Sequence, residues 1–263
     1  MKHSRGLARF GILVPFTNTN LEPDMYLLRP DGVSLHFARM GGYDQDEIPD
    51  AEQMHGLGAA NLEEPLRLLQ GVRPEVILYG CTSATLTHGF AFDRTLAARI
   101  KAECGAETVT AAGAIVFALR SLRAKNIGFA SPYVPAINDL AVSFLTEAGI
   151  HTVNRSEVAS TLDNYGQGTI GPQAVFELGR AADHPKADAI VLSCTDMRSV
   201  EVIDQLEQAL GKPIVTSNQA MMYQARHIMG IANSVHGYGR LLQTTASDRP
   251  DTSHEMPSQN SLP

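Results

Sequence analysis

Two short stretches decide the fold: Glu75–Ser83, EVILYGCTS, and Asp188–Asp196, DAIVLSCTD. Each runs an acidic residue, four apolar residues, one small residue and then Cys-Thr. A brief, unbroken apolar run bounded in this way reads as a strand buried on both faces, as in a parallel sheet covered by helices. The flanks repeat too. RFGILVPFTN (9–18) is echoed by KNIGFASPYV (125–134), and ETVTAAGAIVFALRSL (107–122) by KPIVTSNQAMMYQARHI (212–228), in the same order. The chain therefore reads as two related four-stranded units, each with a Cys-Thr pair directly after its third strand.

Working outward, strands are predicted at Phe10–Val14, Ser34–Met40, Val76–Tyr79 and Thr108–Ala111, then at Asn126–Ala130, His151–Asn154, Ala189–Ser193 and Pro213–Ser217. Helical patterns fill the gaps at Ala51–Leu69, Thr87–Ala102, Ala112–Leu122, Pro135–Ala148, Pro172–Ala182, Val200–Leu210 and Gln219–Ile228. This alternation is that of an α/β protein. The expected architecture is two pseudo-symmetric Rossmann-like units, each a four-stranded parallel sheet flanked by helices, with the active site in the cleft between them. Residues 1–122 and 218–246 would form the first unit, because the segment from about Ser217 is expected to return to it, and 123–217 the second. The polar, Pro-rich tail Ser247–Pro263 is expected to be disordered.

Bulk properties narrow the function. A net charge of -7 over 263 residues speaks against a nucleic-acid binder, which would carry a basic stripe. No segment approaches the ~20 apolar residues of a membrane span. MKHSRGLARFGILVPF lacks a cleavage site and reads as a first strand, not a signal peptide. Three cysteines give no disulfide framework, so a cytoplasmic location is the natural expectation.

Ligands of open parallel sheets bind at the carboxyl ends of the strands, where Cys81 and Cys194 both lie. Each is expected to precede a helix start, whose amides and dipole would lower the thiol pKa. The same amides, with the hydroxyls of Thr82, Ser83 and Thr195, could hold a carboxylate or an enediolate. Cys104, at the end of a surface-type helix, reads as a bystander.

Five short motifs then resemble maleate cis–trans isomerases in order: VPFTNTNLE, ILYGCTS, SPYV, DNYGQG and SCTDM, spanning about Phe10 to Ile231. The chain is thereby identified as a member of the aspartate/glutamate racemase superfamily. The resemblance implies an active site at Asn18, Cys81, Tyr133, Asn164 and Cys194. Cys81 would be the nucleophile, and the asparagines and tyrosine would hold substrate carboxylates. Two features depart from that pattern. Thr82-Ser83 after the first cysteine, and HGYGRLLQ (236–243), look more like arylmalonate decarboxylases, which keep only the second cysteine and have Gly at the position of Cys81.

Other motifs carry less. GQGTIG (166–171) matches G-x-G-x-x-G but follows DNY instead of a strand, and reads as a flexible loop beside Asn164. Nine histidines show no metal-ligand spacing, and no P-loop or GxSxG elbow is present. His88, two turns past Cys81, reads as a surface or supporting residue, and SNQAMMYQARHIM as a core helix. The expectation is a cofactor-independent isomerase without a metal, acting on a small (di)carboxylate through a Cys81 adduct. Its rivals are a decarboxylase needing only Cys194, a racemase with the thiols as paired bases, and a non-catalytic ligand-binding protein on the same fold. Assembly into a homo-oligomer stays open.

Overall fold

The computed structural model describes residues 6–42, 46–232 and 234–243. The tail expected to be disordered lies outside them. The first unit runs β1 (Ala8–Pro15), α1 (Leu21–Leu28), β2 (Val33–Met40), α2 (Ala51–Ala59), α3 (Glu63–Gln70), β3 (Val76–Tyr79), α4 (Thr82–Leu86), α5 (Phe90–Cys104), β4 (Glu107–Thr110) and α6 (Ala111–Ser121). The second runs β5 (Asn126–Ser131), α7 (Pro135–Glu147), β6 (His151–Glu157), α8 (Pro172–Ala181), β7 (Ala189–Leu192), α9 (Ile203–Leu210) and β8 (Ile214–Thr216), and α10 (Ser217–Ile228) follows it.

The strands form two four-stranded sheets of identical order, β2-β1-β3-β4 and β6-β5-β7-β8, with every pairing parallel. All four residues of β3 and all four of β7 are buried, which the apolar quartets VILY and AIVL require of central strands. The repeat extends to single hydrogen bonds. Gly80 N donates to Leu13 O at 2.9 Å, and Ser193 N donates to Ala130 O at 2.8 Å. Thr110 caps α6 by accepting from Gly113 N, and Thr216 caps α10 by accepting from Gln219 N. After β8 the chain packs α10 against α6 and α1.

Three helix expectations change. Ala51–Leu69 is two helices, because Ala60 turns extended and Asn61 Oδ1 starts a new helix by accepting from Glu63 N at 2.7 Å. The helix expected from Thr87 begins at Phe90. Gly89, at φ 83°, separates it from α4 in a conformation that only glycine adopts without strain. Helix α1 was not foreseen: eight residues between NTN and a proline give too short a pattern to read. It fills the place in the first unit that α7 fills in the second. Among the described residues, no helix is long and apolar enough to cross a membrane.

Candidate active site

The ends of β1, β3, β5 and β7 converge on one small cavity of about 40 Å³. All eight residues singled out from the sequence line it: Asn18, Cys81, Thr82, Ser83, Tyr133, Asn164, Cys194 and Thr195. All eight are buried.

The two cysteines arrive by the same route. Each lies one small residue beyond its strand, so the chain leaves the sheet and delivers the thiol to the cleft. At Gly80 the smallness is obligatory, since a Cβ there would lie 2.6 Å from Leu13 O and 2.4 Å from Leu21 Cδ2. Cys81 then forms the N-cap of α4. Cys194 is not followed directly by a helix. The chain bends through Thr195–Ser199 and turns helical only at Val200–Val202, contrary to the sequence expectation.

The thiols are also not acidified. Burial pushes Cys81 up, opposed by the amide of Ala84 and the hydroxyl and amide of Ser83. Cys194 is pushed up to about 12, first by burial and then by the neighbouring Asp196 carboxylate, against the amides of Asp196 and Met197. Helix α4 has only five residues, so its dipole is small, while desolvation disfavours a buried thiolate strongly. Cys194 is accordingly held in its protonated form: its sulfur donates to Gln167 Oε1 and accepts from Asp196 N, both at 3.4 Å.

The polar lining is locked from behind. Asn18 Oδ1 accepts from Asn20 N (3.1 Å) and Leu21 N (2.8 Å), fixing the entry into α1. Its Nδ2 donates to Thr195 Oγ1 at 3.0 Å, and Thr195 Oγ1 donates to Gly80 O at 2.9 Å, so this chain ties the two units together at the cavity floor. Thr82 Oγ1 donates to Ser217 Oγ at 2.9 Å. Tyr133 is held by Ser131 Oγ, which accepts from its N at 3.2 Å, and by Asn138 Nδ2, which donates to its carbonyl at 3.0 Å. Burial and the nearby Cys194 raise the Tyr133 phenol far above its ordinary value, so its hydroxyl stays a donor. Asn164 reaches α2 and the segment before it, its N donating to Glu47 O and its Nδ2 to Gln53 Oε1, both at 2.9 Å.

Sequence reasoning missed Gln167, Asp196, Thr17, Met54, Pro15 and Pro49, which complete the lining. Asp196 stood unremarked inside SCTDM. Gln167 lay in GQGTIG, which is not a loose loop but opens with a 3-10 turn, Gly166–Thr169, packed on the Asp196 carboxyl. Met54 and the prolines belong to no motif. His88 and Cys104 stay outside the cavity; His88 stacks between His55 (3.5 Å) and Phe92 (3.7 Å). Neither Lys, Arg nor His lines the cavity among the described residues, so an anion there would meet amide and hydroxyl donors. Among the same residues, no three His, Cys, Asp or Glu side chains group as metal ligands.

Known proteins share this fold. The family model described as arylmalonate decarboxylase matches residues 11–242. A maleate isomerase of Nocardia farcinica is 28% identical over 255 residues, covering 90% of this chain and 96% of that protein. An arylmalonate decarboxylase of Bordetella bronchiseptica is 26% identical over 246 residues, covering 87% and 91%. Among solved structures, a Cys-to-Ser mutant of the Nocardia farcinica maleate cis-trans isomerase, with a covalently bound succinylcysteine intermediate, superposes with a TM-score of 0.82. That match has 25% identity and covers 90% of this chain and 99% of that one. Matched by the family model over most of its length, the chain belongs to the arylmalonate decarboxylase family, within the aspartate/glutamate racemase superfamily, and resembles maleate isomerases in sequence and fold.

Proposed function

We propose that this protein is a cofactor-independent isomerase that interconverts the cis and trans forms of a small unsaturated dicarboxylate, maleate being the first candidate. The observation that carries the reading is the presence of two buried thiols, Cys81 and Cys194, on one small cavity lined by hydroxyl and amide side chains.

The chemistry follows from the lining. The Cys81 thiolate adds to one alkene carbon, forming a C–S bond and moving the π electrons into an enediolate of the adjacent carboxylate. Cys194, which keeps its proton to about pH 12, delivers it to the other carbon. The former double bond is now single and rotates. The Cys194 thiolate takes the proton back, the C–S bond breaks, and the trans alkene leaves. Asn18, Tyr133 and Asn164 hold the carboxylates, and Thr82, Ser83 and Thr195 supply donors to the enediolate. A covalently bound succinylcysteine intermediate in the Nocardia farcinica relative supports this reading.

A second reading, an arylmalonate-type decarboxylase in which Cys194 alone protonates an enediolate, is favoured by Thr82-Ser83 and by the description of the family model. Incubation with maleate, arylmalonates and amino acids in heavy water, followed by proton NMR, separates the readings. The expected result is fumarate from maleate. Carbon dioxide release from a malonate with maleate untouched would put the decarboxylase first.

A further inference from the structure

The two Cys-Thr pairs are alike, yet the chemistry requires two unlike thiols. Their surroundings diverge at the next residue: Cys81-Thr82-Ser83 in the first unit, Cys194-Thr195-Asp196 in the second. We propose that this third position assigns the roles, the Ser83 hydroxyl favouring Cys81 as nucleophile and the Asp196 carboxylate holding Cys194 as acid. The proposal rests on the paired-thiol isomerase reading and names the positioning residues behind it.

Geometry supports it. Ser83 Oγ stands 3.7 Å from Cys81 Sγ and 3.0 Å from Met54 Sδ, a hydroxyl able to turn its proton to the sulfur. Asp196 is only 6% exposed and lines the cavity beside Cys194, to which its own amide donates. Its Oδ1 accepts from Thr19 N (2.8 Å), Asn20 N (3.0 Å) and Asn20 Nδ2 (3.1 Å), while its Oδ2 is buried without a hydrogen-bond partner. That grip comes from the loop after β1, in the first unit. Gly168 leaves the room for it, since a Cβ there would lie 2.8 Å from Oδ2. A carboxylate fixed in a desolvated site disfavours a second negative charge on the adjacent sulfur, whereas a hydroxyl donor favours one. The groups facing this pair are Arg39 from β2, Asp24 from α1, and Cys81 and Tyr133 across the cavity. The Arg39 guanidinium bonds Asn18 O and Glu22 Oε1, so it tempers the Asp196 charge without pairing with it. Asp196 itself is raised to about 6, mainly by burial, and carries its charge at neutral pH.

The test needs no substrate, so its failure is distinct from failure of the isomerase reading. The full chain is treated with iodoacetamide between about pH 7 and pH 10, a range bracketing ordinary thiols, and each cysteine peptide is followed by mass spectrometry. In the wild-type protein, Cys81 should be alkylated with a rate rising with pH while Cys194 stays unmodified. Asp196→Asn should speed alkylation of Cys194 at the upper end of that range by about tenfold or more, the effect of removing a neighbouring charge, and leave Cys81 nearly unchanged. Asp196→Glu should keep Cys194 protected, and Ser83→Ala should raise the Cys81 midpoint. Should Asp196→Asn fail to fold, the wild-type order and Ser83→Ala still decide. Equal alkylation of both cysteines in the wild type, a Cys194 that stays protected in folded Asp196→Asn, or a Cys81 midpoint unmoved by Ser83→Ala would overturn the assignment.

Discussion

The two halves of the molecule are copies in backbone and strangers in chemistry. Both sheets have the same order, both third strands exit through a small residue, and both fourth strands end in a threonine that caps the next helix. At the cysteines the likeness stops. Cys81 caps a helix of five residues with a hydroxyl nearby, and Cys194 enters a bend beside a buried carboxylate. The threonines differ as well: Thr195 reaches into the other unit through Asn18 and Gly80, whereas Thr82 bonds Ser217. Duplicated folds deliver two equivalent side chains to one cleft cheaply, and a few neighbouring residues then make them unequal.

The sharpest break of this comparison is Cys81→Ser. A serine hydroxyl is far less ionised than a thiol, so the rate of maleate isomerisation should fall by about three orders of magnitude or more. Mass spectrometry of quenched reactions should lose the adduct on residue 81. Full activity of Cys81→Ser on the true substrate would remove the covalent mechanism and leave the decarboxylase in front.

Cys194→Ser should cost about 10²–10⁴ in rate, the usual worth of a positioned proton donor. In contrast to the first variant, the adduct on Cys81 should still form and be trapped. A racemase would behave differently, since each single variant would keep exchange of the α-proton on one enantiomer.

The pH profile sharpens the difference between the thiols. Burial raises Cys81 above its ordinary value, and a nucleophile must be deprotonated, so kcat/KM should rise with pH through and beyond the ordinary thiol range. Cys194 keeps its proton to about 12, so no falling limb from it belongs in that range. A flat or descending profile would contradict the assignment of roles.

The smallest effect concerns the threonines. Thr195→Val leaves Asn18 Nδ2 and Gly80 O short of a partner, at a cost of about 1–3 kcal/mol for an unsatisfied buried group. Calorimetry should show a melting temperature lower by about 2–4 °C per kcal/mol. Thr82→Val, which breaks the bond to Ser217 and the contact with the Tyr133 phenol, should lower it less; an equal or greater loss would count against the cross-unit role of Thr195.

The sequence by itself determined the frame. Apolar quartets, small residues and the ordered echoes fixed two parallel sheets, because a strand buried on both faces has to be apolar throughout and ends where the chain turns polar. It also named eight cavity residues, since each lies at a strand end or in a motif shared with the maleate isomerases. Short or interrupted helices escaped it: α1 has too few residues to display a period, and the break at Ala60–Leu62 depends on a single Asn61 cap. Only the tertiary structure decided the ionisation of the thiols. A helix start after cysteine predicts a lowered pKa, but the pKa depends on everything around the sulfur, and here full burial outweighs the amides of a five-residue helix. Tertiary structure also brought Gln167 to Cys194 and Met54 to Ser83. A contact between residues 27 or 29 positions apart leaves no trace in local pattern, because it exists only once separate segments pack around one cavity.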